Sequence, residues 1–132
     1  MKAIDTNLLA RFITGDDPDQ ARKVYNLFKK AATDNRTLFV PAVVILELIW
    51  VLESRFSASR DEIIKTIGSI LLMPVLQFEH QSAIQRFVRI AEMSNSDLSD
   101  LMIGLIASEC GCETVLTFDK KASRSDYFEL VE

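Results

Sequence analysis

Met1-Lys2-Ala3-Ile4-Asp5-Thr6-Asn7-Leu8 opens the chain and decides how the rest of it is read. A short apolar strand ends with Ala3-Ile4 and delivers a carboxylate, Asp5. A hydroxyl and an amide follow, Thr6 and Asn7, and then a helical apolar pattern begins. In an open α/β sheet, ligands bind outside the carboxyl ends of the strands. That is where this stretch puts Asp5.

Outward from there, strands and helices alternate. Residues 8–13 form a short helix with Leu8, Leu9, Phe12 and Ile13 on its inner side. Gly15 suits its end, Asp17 can cap the next helix, and Pro18 fits that helix's first turn. Ala21, Val24, Tyr25, Phe28 and Ala32 recur at helical spacing. Asp34-Asn35-Arg36 turns the chain into Thr37-Leu38-Phe39-Val40, a second buried strand closed by Pro41. Residues 42–54 are apolar almost all round, the mark of an interior helix. Ser59 and Glu62 form a capping-box pattern that opens a helix with Ile63, Ile64, Ile67, Ile70 and Leu71 inside.

Residues 73–78 read as a third strand. Residues 80–93 are amphipathic, with Ala83, Ile84, Phe87, Val88 and Ala91 inward. After a polar connector, residues 98–109 form another largely buried helix, ended at Gly111. Residues 114–118 are a fourth strand ending on Asp119, residues 120–124 a loop or short helix, and residues 128–131 a last edge strand. This alternation predicts a parallel sheet covered on both faces with right-handed crossovers. The near-continuous apolar strands are what such a sheet requires.

The bulk composition is that of one ordinary domain. The chain has 132 residues, 48% hydrophobic and 26% charged, with 4 Gly and 3 Pro, a globular profile with little room for long irregular segments. A net charge of −4 argues against an overall basic, nucleic-acid-coated surface but leaves room for a local basic rim. Met1-Lys2 leads straight into the fold, so no signal peptide is expected. No apolar run reaches the roughly 18 residues of a membrane span. Cys110 and Cys112 are too close in sequence for an unstrained bridge and too few for a zinc site. They are expected to be reduced and partly buried, which fits a cytoplasmic location.

The acidic residues carry the chemistry. Asp5 reads either as a helix cap or as a ligand at a strand end. Glu47 lies in Val43-Val44-Ile45-Leu46-Glu47-Leu48-Ile49-Trp50 and is expected to be buried, where an unpaired carboxylate is costly. It therefore needs a partner, an arginine from elsewhere or a metal shared with other acids. Asp97 and Asp100 share a face at a helix start, where the cap and dipole reading is compatible with metal binding. Gly104 is expected to leave space beside Asp100. Asp119 is either a turn aspartate or a second strand-end ligand, opening into the same crevice as Asp5 if the two strands are neighbours. An oxygen-only set suits Mg²⁺ or Mn²⁺ and leaves room for a phosphate in the coordination shell. Such an ion can polarise a phosphoryl oxygen and activate water.

In this order and spacing, Asp5-Thr6-Asn7-Leu8-Leu9, Gly15-Asp16-Asp17-Pro18, Val40-Pro41, Leu46-Glu47-Leu48-Ile49-Trp50-Val51-Leu52-Glu53, Asp97-Leu98-Ser99-Asp100-Leu101-Met102-Ile103 and Thr117-Phe118-Asp119-Lys120-Lys121-Ala122 resemble the PIN domain. Within it, they resemble the VapC toxins of toxin–antitoxin pairs. One departure is Leu101-Met102, where the family more usually has a small residue. The resemblance implies a three-layer α/β/α sandwich with a central parallel five-stranded sheet, a single PIN domain over residues 1–132. It implies a catalytic, metal-binding set of Asp5, Glu47, Asp100 and Asp119, with Asp97, Asn7 and Thr117 in support. It also implies Mg²⁺ (or Mn²⁺), an RNA substrate, a homodimer and a cognate antitoxin.

The expectation is thus a metal-dependent endoribonuclease that hydrolyses RNA phosphodiesters with metal-activated water. Arg11, Lys120, Lys121 and Arg124 are the candidate RNA rim, against the plainer reading of solvated surface cations. The lone His80 is expected to be incidental. Three rivals stand beside this reading. One is a catalytically silent PIN-like module that binds RNA or protein, and another is a nuclease acting on DNA. The third is a phosphoacceptor signalling domain, disfavoured because Thr6-Asn7 follows Asp5 and Gln77-Phe78 ends the third strand.

Overall fold

The computed structural model describes residues 1–132. The chain divides into two compact units, Met1–Glu79 and His80–Glu132.

The first unit runs β1 (Lys2–Ala3), α1 (Thr6–Thr14), α2 (Pro18–Thr33), β2 (Leu38–Val40), α3 (Ala42–Phe56), α4 (Arg60–Leu71) and β3 (Leu76–Phe78). Its strands form one parallel sheet in the order β1-β2-β3, with Lys2 opposite Leu38 and Leu38 opposite Leu76. β1 is an edge strand of this sheet. It stops early because the Asp5 carboxylate accepts the Leu8 amide and starts α1 at Thr6. Gly15, in the left-handed conformation at φ 64°, ends that helix as its sequence suggests.

The inward faces differ in detail from the expected ones. In α1, Thr6, Leu9 and Ala10 are buried, while Leu8, Phe12 and Ile13 are half-buried. The Phe12 ring lies 4.8 Å from that of Phe28. In α2 the buried stripe is Val24, Phe28 and Ala31, at the i, i+4, i+7 spacing of one helix face. Tyr25 and Ala32 fall outside that stripe and are exposed. The Ser59–Glu62 capping box is present in full, and Ile63, Ile64, Ile67 and Ile70 are buried beneath it. Residues 74 and 75 turn, and although the Val75 carbonyl accepts the Leu38 amide at 2.8 Å, β3 starts only at Leu76.

Helix α3 departs most from its reading as an interior helix. Seven of its side chains are buried, Leu48 and Ile49 completely. Val43 and Trp50 are nonetheless 67% and 63% exposed, and Glu47, between them on the same face, is exposed too. The helix is amphipathic in its burial although nearly uniform in its hydropathy.

The second unit runs α5 (Gln81–Met93), α6 (Leu98–Glu109), β4 (Val115–Thr117), a 3-10 turn (Ala122–Arg124) and β5 (Phe128–Leu130). α5 packs on α6, burying Ala83, Ile84, Phe87 and Ala91 from one, and Leu98, Leu101, Met102 and Leu105 from the other. β4 and β5 pair in parallel, with Val115 opposite Phe128. His80 takes the left-handed conformation at φ 52° and starts α5. Its Nδ1 lies 2.7 Å from Glu109 Oε2, and Ser82 Oγ donates to the same carboxylate. His80 thus links the start of α5 to the end of α6. Cys110 and Cys112 are free, as expected, but exposed rather than partly buried.

Helices and parallel strands alternate through both units, the α/β class expected. The single five-stranded sheet is not formed. The strands pair as a three-stranded and a two-stranded sheet, and β1 and β4 are not hydrogen-bonded neighbours. Each strand is three residues or shorter, and the open face of β4 leaves Leu116 exposed. No helix is long and apolar enough to cross a membrane.

Candidate active site

The second unit gathers most of the expected chemistry. Asp97 precedes α6, and its carboxylate accepts the Asp100 amide at 3.0 Å. This is the cap reading of Asp97, and it sets the direction in which the first turn of α6 presents Asp100. Asp100 is half-buried. Its carboxyl is pushed above the usual aspartate range, first by burial, then by the charges of Asp97 and Asp119, while Lys121 pulls it down. Asp97 and Asp119 are therefore close enough for their charges to act on the Asp100 carboxyl.

Asp119 follows β4 and is held as a turn aspartate. Its carboxylate accepts the Lys121 and Ala122 amides at 2.9 and 3.2 Å. Its own amide donates to Thr117 Oγ1 at 3.0 Å, so Thr117 fixes the turn that carries Asp119. A cavity of about 270 Å³ opens beside Asp97 and Asp100. Lys121 and Arg124 line it too, as do Ser96, Ser125 and the buried Phe128. The acids and cations of this wall stand out in the sequence, but Ser96 and Ser125 do not. Their signal is only a polar residue within two positions of a named acid or cation.

Gly104 does not leave open space beside Asp100. A Cβ there would meet Tyr127 Cβ at 2.6 Å and Phe128 Cε2 at 3.4 Å. The missing side chain admits the start of β5 against α6, and Phe128 reaches the cavity wall by that route.

The first unit holds the other two expected acids. Asp5 is exposed and caps α1, its Oδ1 accepting the Leu8 amide at 2.9 Å. Asn7, two residues on, is exposed in the first turn. Glu47 is not buried, so desolvation does not force a partner upon it, and it makes no ion pair. Arg11 is half-buried and engaged, its Nη1 3.1 Å from Asp16 Oδ2 and its Nε donating to Gln20 Oε1 at 2.8 Å. Lys120, Lys121 and Arg124 are exposed and form no ion pair.

No three His, Cys, Asp or Glu side chains are gathered tightly enough to form a ready metal cage. The donor chemistry still fits a hard divalent ion. The set is all oxygen, and the Asp100 carboxyl, raised first by burial, also feels the charges of Asp97 and Asp119. Asp5 and Asp119 already accept backbone amides, but each carboxylate retains acceptor capacity.

The chain is 24% identical over 121 residues to the VapC ribonuclease of Aquifex aeolicus (strain VF5), an alignment covering 92% of this chain and 89% of that one. The family profile for the PIN domain matches residues 2–126. The match includes all the acids discussed above and crosses both compact units, and on that ground the chain belongs to the PIN domain family.

Proposed function

We propose that this protein is a divalent-metal-dependent endoribonuclease, the toxin of a VapC-type toxin–antitoxin pair, acting as a single PIN domain over residues 1–132. The observation that carries the reading is Asp100. Its half-buried carboxylate stands in the field of Asp97 and Asp119, beside a cavity that also offers Lys121 and Arg124. Membership of the PIN family and the similarity to a VapC ribonuclease support it.

In this reading Asp5, Glu47, Asp100 and Asp119 hold Mg²⁺ or Mn²⁺, directly or through water. When bound, the ion supplies Lewis-acid stabilisation of a phosphoryl oxygen and a more acidic water. The chain's residues do the rest. Asp97 fixes the first turn of α6 and so aims Asp100. Thr117 fixes the turn that aims Asp119. Asn7 supports Asp5 from the first turn of α1. Lys121 and Arg124 neutralise the non-bridging oxygens of an RNA phosphodiester at the cavity mouth, with Lys120 on the approach. Arg11 is the weakest member of this rim, because Asp16 and Gln20 already use its donors. The partners that follow are RNA, a second copy of the chain and an antitoxin, in the cytoplasm. The exposed Val43 and Trp50 offer an apolar stripe to the protein partners.

A silent binding module is the second reading, favoured by the backbone amides that the Asp5 and Asp119 carboxylates already accept. One experiment separates the two. Total RNA and a DNA control are incubated with the protein and Mg²⁺ or Mn²⁺, with and without EDTA, beside Asp100→Asn and Asp5→Asn. The proposal expects RNA cleavage that EDTA abolishes and each substitution lowers about 100-fold or more. Cleavage that survives chelation and both substitutions sinks the metal mechanism. Folded protein that binds RNA and never cuts it establishes the silent module, and cleavage of DNA alone reassigns the substrate.

A further inference from the structure

A second cavity, of about 590 Å³, lies in the first unit at the amino ends of β1 and β2. Asp5 stands at the carboxyl end of β1, so this cavity opens at the other end of the same sheet. Its wall carries Lys2, Lys30 and Arg36 against a single acid, Asp34. None of the three cations is in an ion pair, with Asp34 or with any other carboxylate. In a chain of net charge −4 this is a local inversion of sign.

The plain explanation of Lys30 is compensation of the α2 dipole, since it lies in the last turn of that helix. The backbone already does much of that work. The last-turn carbonyls of Lys30, Ala31 and Ala32 accept the amides of Asp34, Arg36 and Asn35 at 3.0, 2.8 and 3.2 Å. Asn35 makes this possible by taking the left-handed conformation at φ 54°, which asparagine tolerates better than most residues. The turn fixes the backbone of Arg36 just before β2 and leaves its guanidinium free of any ion pair. Leu27 and Leu38 give the cavity an apolar wall.

We propose that this cavity is an anion site for a phosphate-bearing ligand, either a free nucleotide or a stretch of nucleic-acid strand. Three cations against one carboxylate leave an excess of two positive charges, which matches a terminal phosphate dianion or two successive phosphodiesters of a strand better than a lone carboxylate. Arg36 supplies the forked donor that phosphate favours. The volume lies in the range of small-ligand pockets, about 300–1,000 Å³, and exceeds what a phosphate fills. The apolar wall has room for the rest of a nucleotide.

The test is an amide-shift titration of isotope-labelled protein in EDTA, so that no RNA is cut, with three probes: pyrophosphate, adenosine monophosphate and a short oligouridylate. Saturable shifts at Asn35, Arg36, Thr37 and Leu38 are expected. Saturation by pyrophosphate or the mononucleotide assigns a free phosphate ligand, and saturation by the oligonucleotide alone assigns a strand. The Lys30→Ala/Arg36→Ala variant removes two charge-assisted contacts and binds at least about tenfold more weakly, the loss expected from one of them alone. Lys30→Arg, which keeps the charge, retains binding. Both positions are exposed, and an unchanged spectrum elsewhere verifies the fold. The proposal is overturned by the absence of saturable shifts with all three probes, by undiminished binding to the double variant, or by an equal response to an oligoglutamate peptide. Each readout is local to residues 35–38 and independent of cleavage, so its failure leaves the proposed nuclease activity standing.

Discussion

Glu47 and Asp100 sit on the two helices that read as most deeply buried, α3 and α6, yet they occupy opposite environments. Glu47 lies in the middle of α3 on an exposed face between Val43 and Trp50, with no ion pair. Asp100 lies in the first turn of α6, half-buried, its carboxyl pushed up first by that burial and then by the charges of Asp97 and Asp119. A helix's composition shows that it is buried. Which of its residues is buried depends on the face and on the distance from the helix end. An acid in an apolar run is therefore weak grounds for a buried charge. An acid in a first turn beside an N-cap acid is better grounds for an electrostatically loaded one.

The largest expected effect breaks or upholds this contrast within α3 itself. Leu48 is the immediate neighbour of Glu47 and has no exposed surface. Leu48→Ala should cost roughly 2–5 kcal/mol, the lost transfer energy plus an unfilled cavity. Urea unfolding at constant slope measures it. A loss well under about 1 kcal/mol would mean that the two faces of α3 are not as different as their burial indicates.

A smaller loss is expected one turn beyond Asp100. Gly104→Ala gains about 0.5–1 kcal/mol of helix propensity and incurs roughly 1–3 kcal/mol of overpacking. The clash is with Tyr127 Cβ at 2.6 Å, an atom one bond from the backbone that cannot swing away. The balance is a net loss in the unfolding midpoint. The start of β5 should move outward with it, visible as altered amide shifts at Tyr127 and Phe128. A stabilised Gly104→Ala would show that Gly104 borders open space after all.

Much of the architecture was legible in local patterns that depend on few neighbours. The bounds of α6, the Ser59–Glu62 box, the Gly15 stop and the Asp97 cap follow from periodicity and capping chemistry. Strand partnership was not legible, because strands of two or three residues carry too little pattern to say which edges meet, and they pair in two sheets instead of one. The buried stripe of α2 and the exposed face of α3 differ from expectation because spacing or composition defines several candidate faces, and tertiary packing selects Ala31 over Ala32 and leaves Trp50 outside. Of the candidate site, motif order singles out Asp97, Asp100 and Asp119, and the fold brings Asp97 and Asp119 within electrostatic reach of Asp100. The roles of Thr117 and Gly104 depend on a hydrogen bond and a close approach that only the folded chain displays.

The subtlest effect compares the two acids directly, through the pH dependence of stability in EDTA. Because Asp100's folded carboxyl titrates above the ordinary aspartate range, the folded state holds its proton more tightly than the unfolded state does. Stability then falls as pH rises from the ordinary aspartate value through the raised one, and the penalty is complete above the raised one. Asp100→Asn removes the charge and should raise the unfolding midpoint at neutral pH. The gain should vanish below the ordinary aspartate range, where the wild-type carboxyl is already protonated. Glu47→Gln, at an exposed and unpaired position, should stay within about 0.5 kcal/mol of wild type at neutral pH. Adding Mg²⁺ sharpens the pair further, since an ion bound only by the folded state stabilises it. The wild type should then recover the stability that Asp100 costs it, and Asp100→Asn should recover less. If Asp100→Asn destabilises at neutral pH while Glu47→Gln stabilises, the contrast between the two helices is reversed. Glu47 would then be the acid whose charge the fold has to accommodate.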